Sequence, residues 1–177
     1  MFTEEDFIQR CLDNDPQAQE ELYRRFAPRM FGICLRFTKN KMEAEDVLQE
    51  GFIKVFTHLK DYRSEGSLEG WIRRTIVNTA INYYKKRTKT HSDIQVEQLE
   101  ITEKEVEGIL DKLSANELLS VIQKLPDGYR MVFNLSVIEG YTHKEIGKML
   151  GISENTSKSQ LSRARTVLQG KIKKINK

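Results

Sequence analysis

With 177 residues, 38% of them hydrophobic and 31% charged, the chain has the composition of a soluble folded protein of one domain or two small ones. Its acidic start, MFTEEDF, lacks the basic-then-apolar order of a signal peptide, and no apolar run approaches the roughly 20 residues that span a bilayer, so a cytoplasmic protein without membrane insertion is expected. Cys11 and Cys34 have no CxxC spacing and His58, His91 and His143 are scattered, so no metal site, cofactor site, small-molecule substrate or catalytic constellation is implied, and a non-enzymatic protein is expected.

Three Pro, ten Gly and no strand-like alternation predict an all-α protein. Leu22, Phe26, Met30, Ile33 and Phe37 recur at helical steps, followed by a second stripe of Val47, Leu48, Phe52, Val55, Phe56 and Leu59. Asp61 to Gly66 breaks the pattern. A third helix is predicted from Ser67 through Trp71, Ile72, Ile76 and Tyr83 to Lys85, Lys86, Arg87 and Lys89, cations that suit a helix C-terminus. Residues 91–117 then carry 2 Lys+Arg against 8 Asp+Glu, whereas residues 118–177 carry 11 against 4. An acidic tether between a balanced domain and a basic one is the reading: a helical domain over 1–90, a linker over 91–113 and a second helical domain over 114–177.

In that second domain Ser114 and Glu117 form a capping box for a helix ending at Leu125-Pro126, and Gly128 to Glu139 reads as one more helix. Gly140 leads into a helix-turn-helix. Thr142 and Glu145 make another capping box, Ile146 and Leu150 face inward, Gly151 permits a left-handed residue, and Ser153 caps the following helix. On that helix Leu161, Ala164 and Leu168 share one side, while Asn155, Ser159, Ser162, Arg163 and Thr166 share the other, flanked by Lys158 and Gln160. Hydroxyls, amides and a guanidinium can bond base edges, and Lys158 and Arg165 can neutralise phosphates, so the face suits the major groove of DNA.

Two further faces stand apart from core packing. Opposite the apolar stripe of the second helix lie Asp46, Glu50, Ile53 and Thr57, with Gln49 and Lys54 alongside; a docking surface and an ordinary solvated face explain them equally well. The third helix aligns Trp71, Asn78, Asn82 and Lys85, with Lys86 adjacent and Tyr62 in the loop before it. Asn can read a base edge, Lys can hold a phosphate and an aromatic can stack on an unpaired base, although Trp71 itself reads rather as a core residue.

The blocks AEDVLQEGFIKVF at 44–56 with GWIRRTIVNTAINYYKKR at 70–87, and LPDGYRMVFNLSVIEGYTHKEIGKMLGISENTSKSQLSRAR at 125–165, in this order, resemble the second and fourth conserved regions of the small two-domain extracytoplasmic-function sigma factors of the sigma-70 family. The resemblance implies a transcription initiation factor whose partners are core RNA polymerase, promoter DNA and an anti-sigma factor. It assigns Asp46, Gln49 and Glu50, with Ile53 on the same face, to docking on the coiled coil of the largest polymerase subunit. Tyr62 to Ser67, Asn78 and Asn82, with Lys85 and Lys86, fall to opening the −10 element and holding an extruded base. Lys158, Ser159, Gln160, Ser162 and Arg163 fall to the −35 element. Two positions depart from the family's pattern. Ser157 replaces a frequent Val on the core side and should weaken packing or bond nearby backbone; Gln160 replaces a basic residue and should shift preference toward adenine. A helix-turn-helix regulator acting without polymerase leaves the acidic and Asn faces without a purpose, and a nucleic-acid enzyme lacks catalytic residues.

Overall fold

The computed structural model describes residues 3–89 and 114–175; the linker expected at 91–113 lies outside the described residues. Among the described residues there are eight α-helices and no strand, in agreement with the all-α expectation. The chain divides into two compact units, Met1–Asn82 and Tyr83–Lys177, with the division falling inside a helix.

The first unit opens with a helix the apolar periodicity did not reveal, α1 (Glu4–Leu12). Thr3 caps it, its hydroxyl accepting from the Asp6 N–H at 3.1 Å while the Asp6 carboxylate accepts from the Thr3 N–H at 3.0 Å. Only Ile8 and Cys11 of this helix are buried. After Asn14, at φ 60°, Asp15 caps α2 (Pro16–Phe37), accepting from the N–H groups of Gln17 and Ala18, and Pro16 occupies the first turn, where a missing N–H costs nothing. Asn40 caps α3 (Lys41–His58), a 3-10 turn follows over Leu59–Asp61, and α4 spans Leu68–Thr88. Leu22, Phe26, Met30, Ile33 and Phe37 of α2, Val47, Leu48, Phe52 and Val55 of α3, and Ile72, Ile76, Val77, Ala80 and Ile81 of α4 form the core. Burial pushes the Cys34 thiol up to about 12, so it is a packing group that stays protonated. Across the rim, Arg29 grips Glu69 with one nitrogen at 2.9 and 2.8 Å from the two carboxylate oxygens.

The second unit contains α5 (Ala115–Gln123), α6 (Asp127–Phe133), α7 (His143–Leu150) and α8 (Glu154–Ile175). The expected capping boxes Ser114/Glu117 and Thr142/Glu145 are both formed. The helix expected to run unbroken from Gly128 to Glu139 instead widens into a π turn over Asn134–Ile138. Within it the Glu139 N–H reaches the Asn134 carbonyl at 2.9 Å, one residue further back than in an α-helix, and the side-chain amide of buried Asn134 donates to the Arg130 carbonyl at 2.9 Å. Arg130 is itself 2% exposed, a charge placed in the core. Its guanidinium donates to the carbonyls of Leu125 at 2.8 Å and Gln123 at 3.3 Å and pairs with Asp127, which satisfies the end of α5 and the start of α6 together.

Gly151 adopts φ +71°, as its place after α7 predicts. Gly147 matters for a different reason. A β carbon there would lie 2.7 Å from the Ile152 carbonyl oxygen, so α7 and the turn meet at a distance only glycine allows. Gly147→Ala should therefore cost about 1–3 kcal/mol, as overpacking does, lowering the melting temperature of this unit by about 4–8 °C per kcal/mol. Gly170→Ala meets nothing within 4 Å on α8 and should stabilise by about 0.5–1 kcal/mol. Calorimetry of the two variants checks the pair; an unchanged transition for Gly147→Ala would mean that the turn yields.

Candidate nucleic-acid interface and docking face

On α3 the apolar stripe turns inward and leaves Asp46 and Gln49 exposed, with Ile53 61% exposed beside them. Glu50 is half-buried and ion-paired to Lys54 at 2.8 Å. The structure adds Met42, 70% exposed, which sequence reading passed over. Met42, Asp46, Gln49 and Ile53 succeed one another at steps of four, three and four, the spacing of a seam that packs along another helix. The exposure of two large apolar side chains at its ends is the signal that could have found Met42.

On α4, Asn78 and Asn82 are exposed one turn apart and Lys86 is exposed in the last turn, while Lys85 is half-buried. Trp71 is half-buried, between the core and stacking readings. Tyr62 differs from a free stacking platform. Its ring lies 5.8 Å from that of Trp71, tilted by 53°, and its hydroxyl donates to the Gly66 carbonyl at 2.8 Å. Desolvation, then the charge of Glu4, raises the phenol pKa.

The recognition face of α8 begins at Ser153, whose hydroxyl accepts from the Thr156 N–H at 3.0 Å. Asn155, Lys158 and Ser159 are exposed and Ser162 and Arg163 are half-buried. Lys158 donates to Glu154 across one turn at 2.8 Å, and that bond holds the Glu154 carboxyl below the usual carboxylate range. The Ser159 hydroxyl donates to the Thr156 carbonyl at 3.0 Å. Gln160 does not flank the outer face as expected. It is turned toward α6, its amide atoms 3.3 Å from where a β carbon of Gly128 would sit, because that glycine opens a seat for the side chain. Ser157 is fully buried, as its core-side projection predicts, but it bonds a side chain rather than backbone: its hydroxyl lies 2.8 Å from Nδ1 of His143, the first residue of α7. His143 was not singled out by the sequence, where it stood only as one of three scattered histidines.

The His143–Ser157 bond joins the two helices of the helix-turn-helix. A double-mutant cycle with His143→Ala and Ser157→Ala should return a coupling of about 0.5–1.5 kcal/mol in thermal unfolding, the net worth of a hydrogen bond. Strict additivity would mean the bond contributes nothing to holding α8.

No group of three His, Cys, Asp or Glu among the described residues is placed to hold a metal ion, and no described helix is long and apolar enough to cross a membrane. Residues 22–90 match Sigma-70 region 2, and residues 115–168 match Sigma-70, region 4. The RNA polymerase sigma-H factor of Pseudomonas aeruginosa is 28% identical over 95% of this chain and 94% of its own. The ECF RNA polymerase sigma factor SigE of Mycolicibacterium smegmatis is 30% identical over 85% of this chain and 60% of its own. The ECF RNA polymerase sigma-E factor of Escherichia coli is 26% identical over 98% of this chain and 96% of its own. In fold the chain is similar to the sigma factor RpoE of Bartonella quintana, solved with the anti-sigma factor NepR, at a TM-score of 0.53 and 18% identity over 89% of this chain and 98% of that one. Two regions of one family in their order, with sigma factors aligning along nearly the whole chain, make this protein a member of the sigma-70 family of RNA polymerase sigma factors, in its extracytoplasmic-function group.

Proposed function

We propose that the protein docks on core RNA polymerase through α3, opens the −10 element with the loop after α3 and the Asn face of α4, and reads the −35 element with α8. The observation that carries this reading is the coincidence of the two matched regions with solvent-facing helix sides of fitting chemistry. The seam from Met42 to Ile53 suits a partner helix, with apolar ends around Asp46 and Gln49. Asn78 and Asn82 offer paired donors and acceptors to an unpaired base. Lys158, Ser159, Ser162 and Arg163 suit a duplex groove, with Gln160 beside them against Gly128. Chemistry belongs to the polymerase, in the cytoplasm; an anti-sigma factor, such as the one that holds the related Bartonella protein, is its inhibitory partner. Promoter-dependent run-off transcription with core polymerase tests the whole reading, because a regulator acting without polymerase confers no specific initiation on the core.

Each docking surface gives its own expectation. Asp46→Lys with Glu50→Lys, and separately Ile53→Asp, should weaken core-polymerase binding at least tenfold, an effect of roughly 1.4 kcal/mol or more. Thermal stability should move by only about 0.5 kcal/mol, since these are surface positions. Pull-down with unaltered recovery would remove α3 from the docking role.

On α8, Arg163→Ala should weaken binding to a −35 duplex by about 1–3 kcal/mol with loss of base discrimination. Lys158→Ala should weaken it evenly across sequences and flatten the log-log salt dependence by about 0.9. Fluorescence anisotropy over a salt series reads both; a parental slope for Lys158→Ala would mean that Lys158 stays on Glu154.

A further inference from the structure

The loop Tyr62–Ser67 is anchored at both ends and held across its middle. At its start, the Tyr62 N–H bonds the carbonyl of fully buried Leu59 at 3.1 Å. At its end, the Ser67 hydroxyl accepts from the Gly70 N–H at 3.1 Å and caps α4. Between these anchors Arg63, Ser64 and Glu65 are exposed. Ser64 sits at φ 56° and Gly66 at φ 92°, so the tip turns through two left-handed residues, one of which is not glycine. Such a residue persists only where its surroundings hold it. The group that bridges the strained stretch is the Tyr62 side chain, with its hydroxyl on the Gly66 carbonyl and its ring against Trp71. One side of the ring is thus engaged by Trp71 and the hydroxyl by the loop itself.

We infer that Tyr62 is a latch: it fixes the shape of the Arg63–Glu65 tip and thereby sets which extruded base the strand-opening surface accepts, and it does not itself stack on that base. The inference rests on the strand-opening role proposed for this loop and for α4. Tip chemistry makes shape decisive. Arg63 can only donate, ionised Glu65 can only accept, and the Ser64 hydroxyl does either, so the pattern presented to a base edge depends on where the tip is held. Trp71, on α4, supports the latch from outside the loop. Tyr62 is thus a positioning residue acting through the tip.

The experiment uses holoenzyme assembled with full-length parent, Tyr62→Phe, Tyr62→Ala, Trp71→Phe and Asn78→Ala proteins. The probe is a promoter opened by the parent, made in four versions that differ only in the base extruded from the −10 non-template strand, each matched and premelted. Tyr62→Phe keeps the aromatic face and loses only the hydroxyl. It should slow opening of the preferred version toward the rate of the others, so that the spread in rate between best and worst base shrinks about fivefold, the worth of one net hydrogen bond. Premelting should leave that spread reduced, because selection and not unpairing has been lost. Trp71→Phe should shift the spread in the same direction. If Tyr62→Phe keeps the parental spread, whether or not Tyr62→Ala loses it, the hydroxyl latch is wrong; with Tyr62→Ala defective, the ring stacks on the base. The underlying reading fails separately: Asn78→Ala opening the matched promoter at the parental rate would remove the α4 face from strand opening, whatever Tyr62→Phe does.

Discussion

At Gly147 the chain permits an approach that any other residue would block: a β carbon would lie 2.7 Å from the Ile152 carbonyl oxygen, whose amide in turn bonds back to the Gly147 carbonyl at 3.0 Å. That contact fixes how α8 leaves the turn, and hence which way the recognition side chains face. Because the opposing atom is backbone, it has no rotamer through which to yield. Gly51 in the first unit offers a contrast. A β carbon there would meet Cδ1 of Ile76 at 2.4 Å, the far end of a side chain that can rotate, although Ile76 is fully buried. The close crossing of α3 and α4 is therefore softer than the turn between α7 and α8, even though its nominal distance is shorter.

Several side chains that the proposed function uses are already engaged with their own helix or loop. Lys158 is on Glu154, Lys54 on Glu50, the Ser159 hydroxyl on the Thr156 carbonyl, and Tyr62 on Gly66. Exposed ion pairs between residues one turn apart contribute about 0.3–0.5 kcal/mol, so Lys158 can exchange Glu154 for a phosphate at little cost. These contacts restrict long side chains to a few rotamers before a partner arrives, which reduces the ordering entropy of binding. The faces are organised without being locked.

The core was legible because burial follows period: every apolar residue of the α2 stripe proved buried, and the inward face of α8 fell as projected. Helix α1 was not legible, since two buried side chains make no stripe. The π turn was not legible because a shift of one residue in hydrogen-bond register leaves no periodic trace. Of the candidate site, the faces carrying Asp46, Gln49, Asn78, Asn82, Lys158 and Ser159 could be read from spacing. What spacing does not encode is where a side chain goes when a neighbouring helix leaves room: Gln160 turns into the seat at Gly128, Ser157 finds His143, and Tyr62 folds back on its loop. Each depends on a partner distant along the chain or on the path of a turn.

The seat of Gln160 leads back to the buried charge of the second unit. Arg130 ties the last carbonyls of α5 to Asp127 at the start of α6, and breaking a buried pair of this kind leaves an uncompensated charge, at a cost of about 3–5 kcal/mol. That cost holds the corner between α5 and α6, and the corner carries Gly128, against which Gln160 rests. α8 is therefore fixed from two sides: by α7 through Gly147 and the His143–Ser157 bond, and by α6 through Gly128. A helix held at one contact can roll about it, whereas a helix held by two neighbours has its outward residues chosen for it. The Arg130 network, remote in sequence from the recognition residues, belongs in this way to what determines the base-reading face.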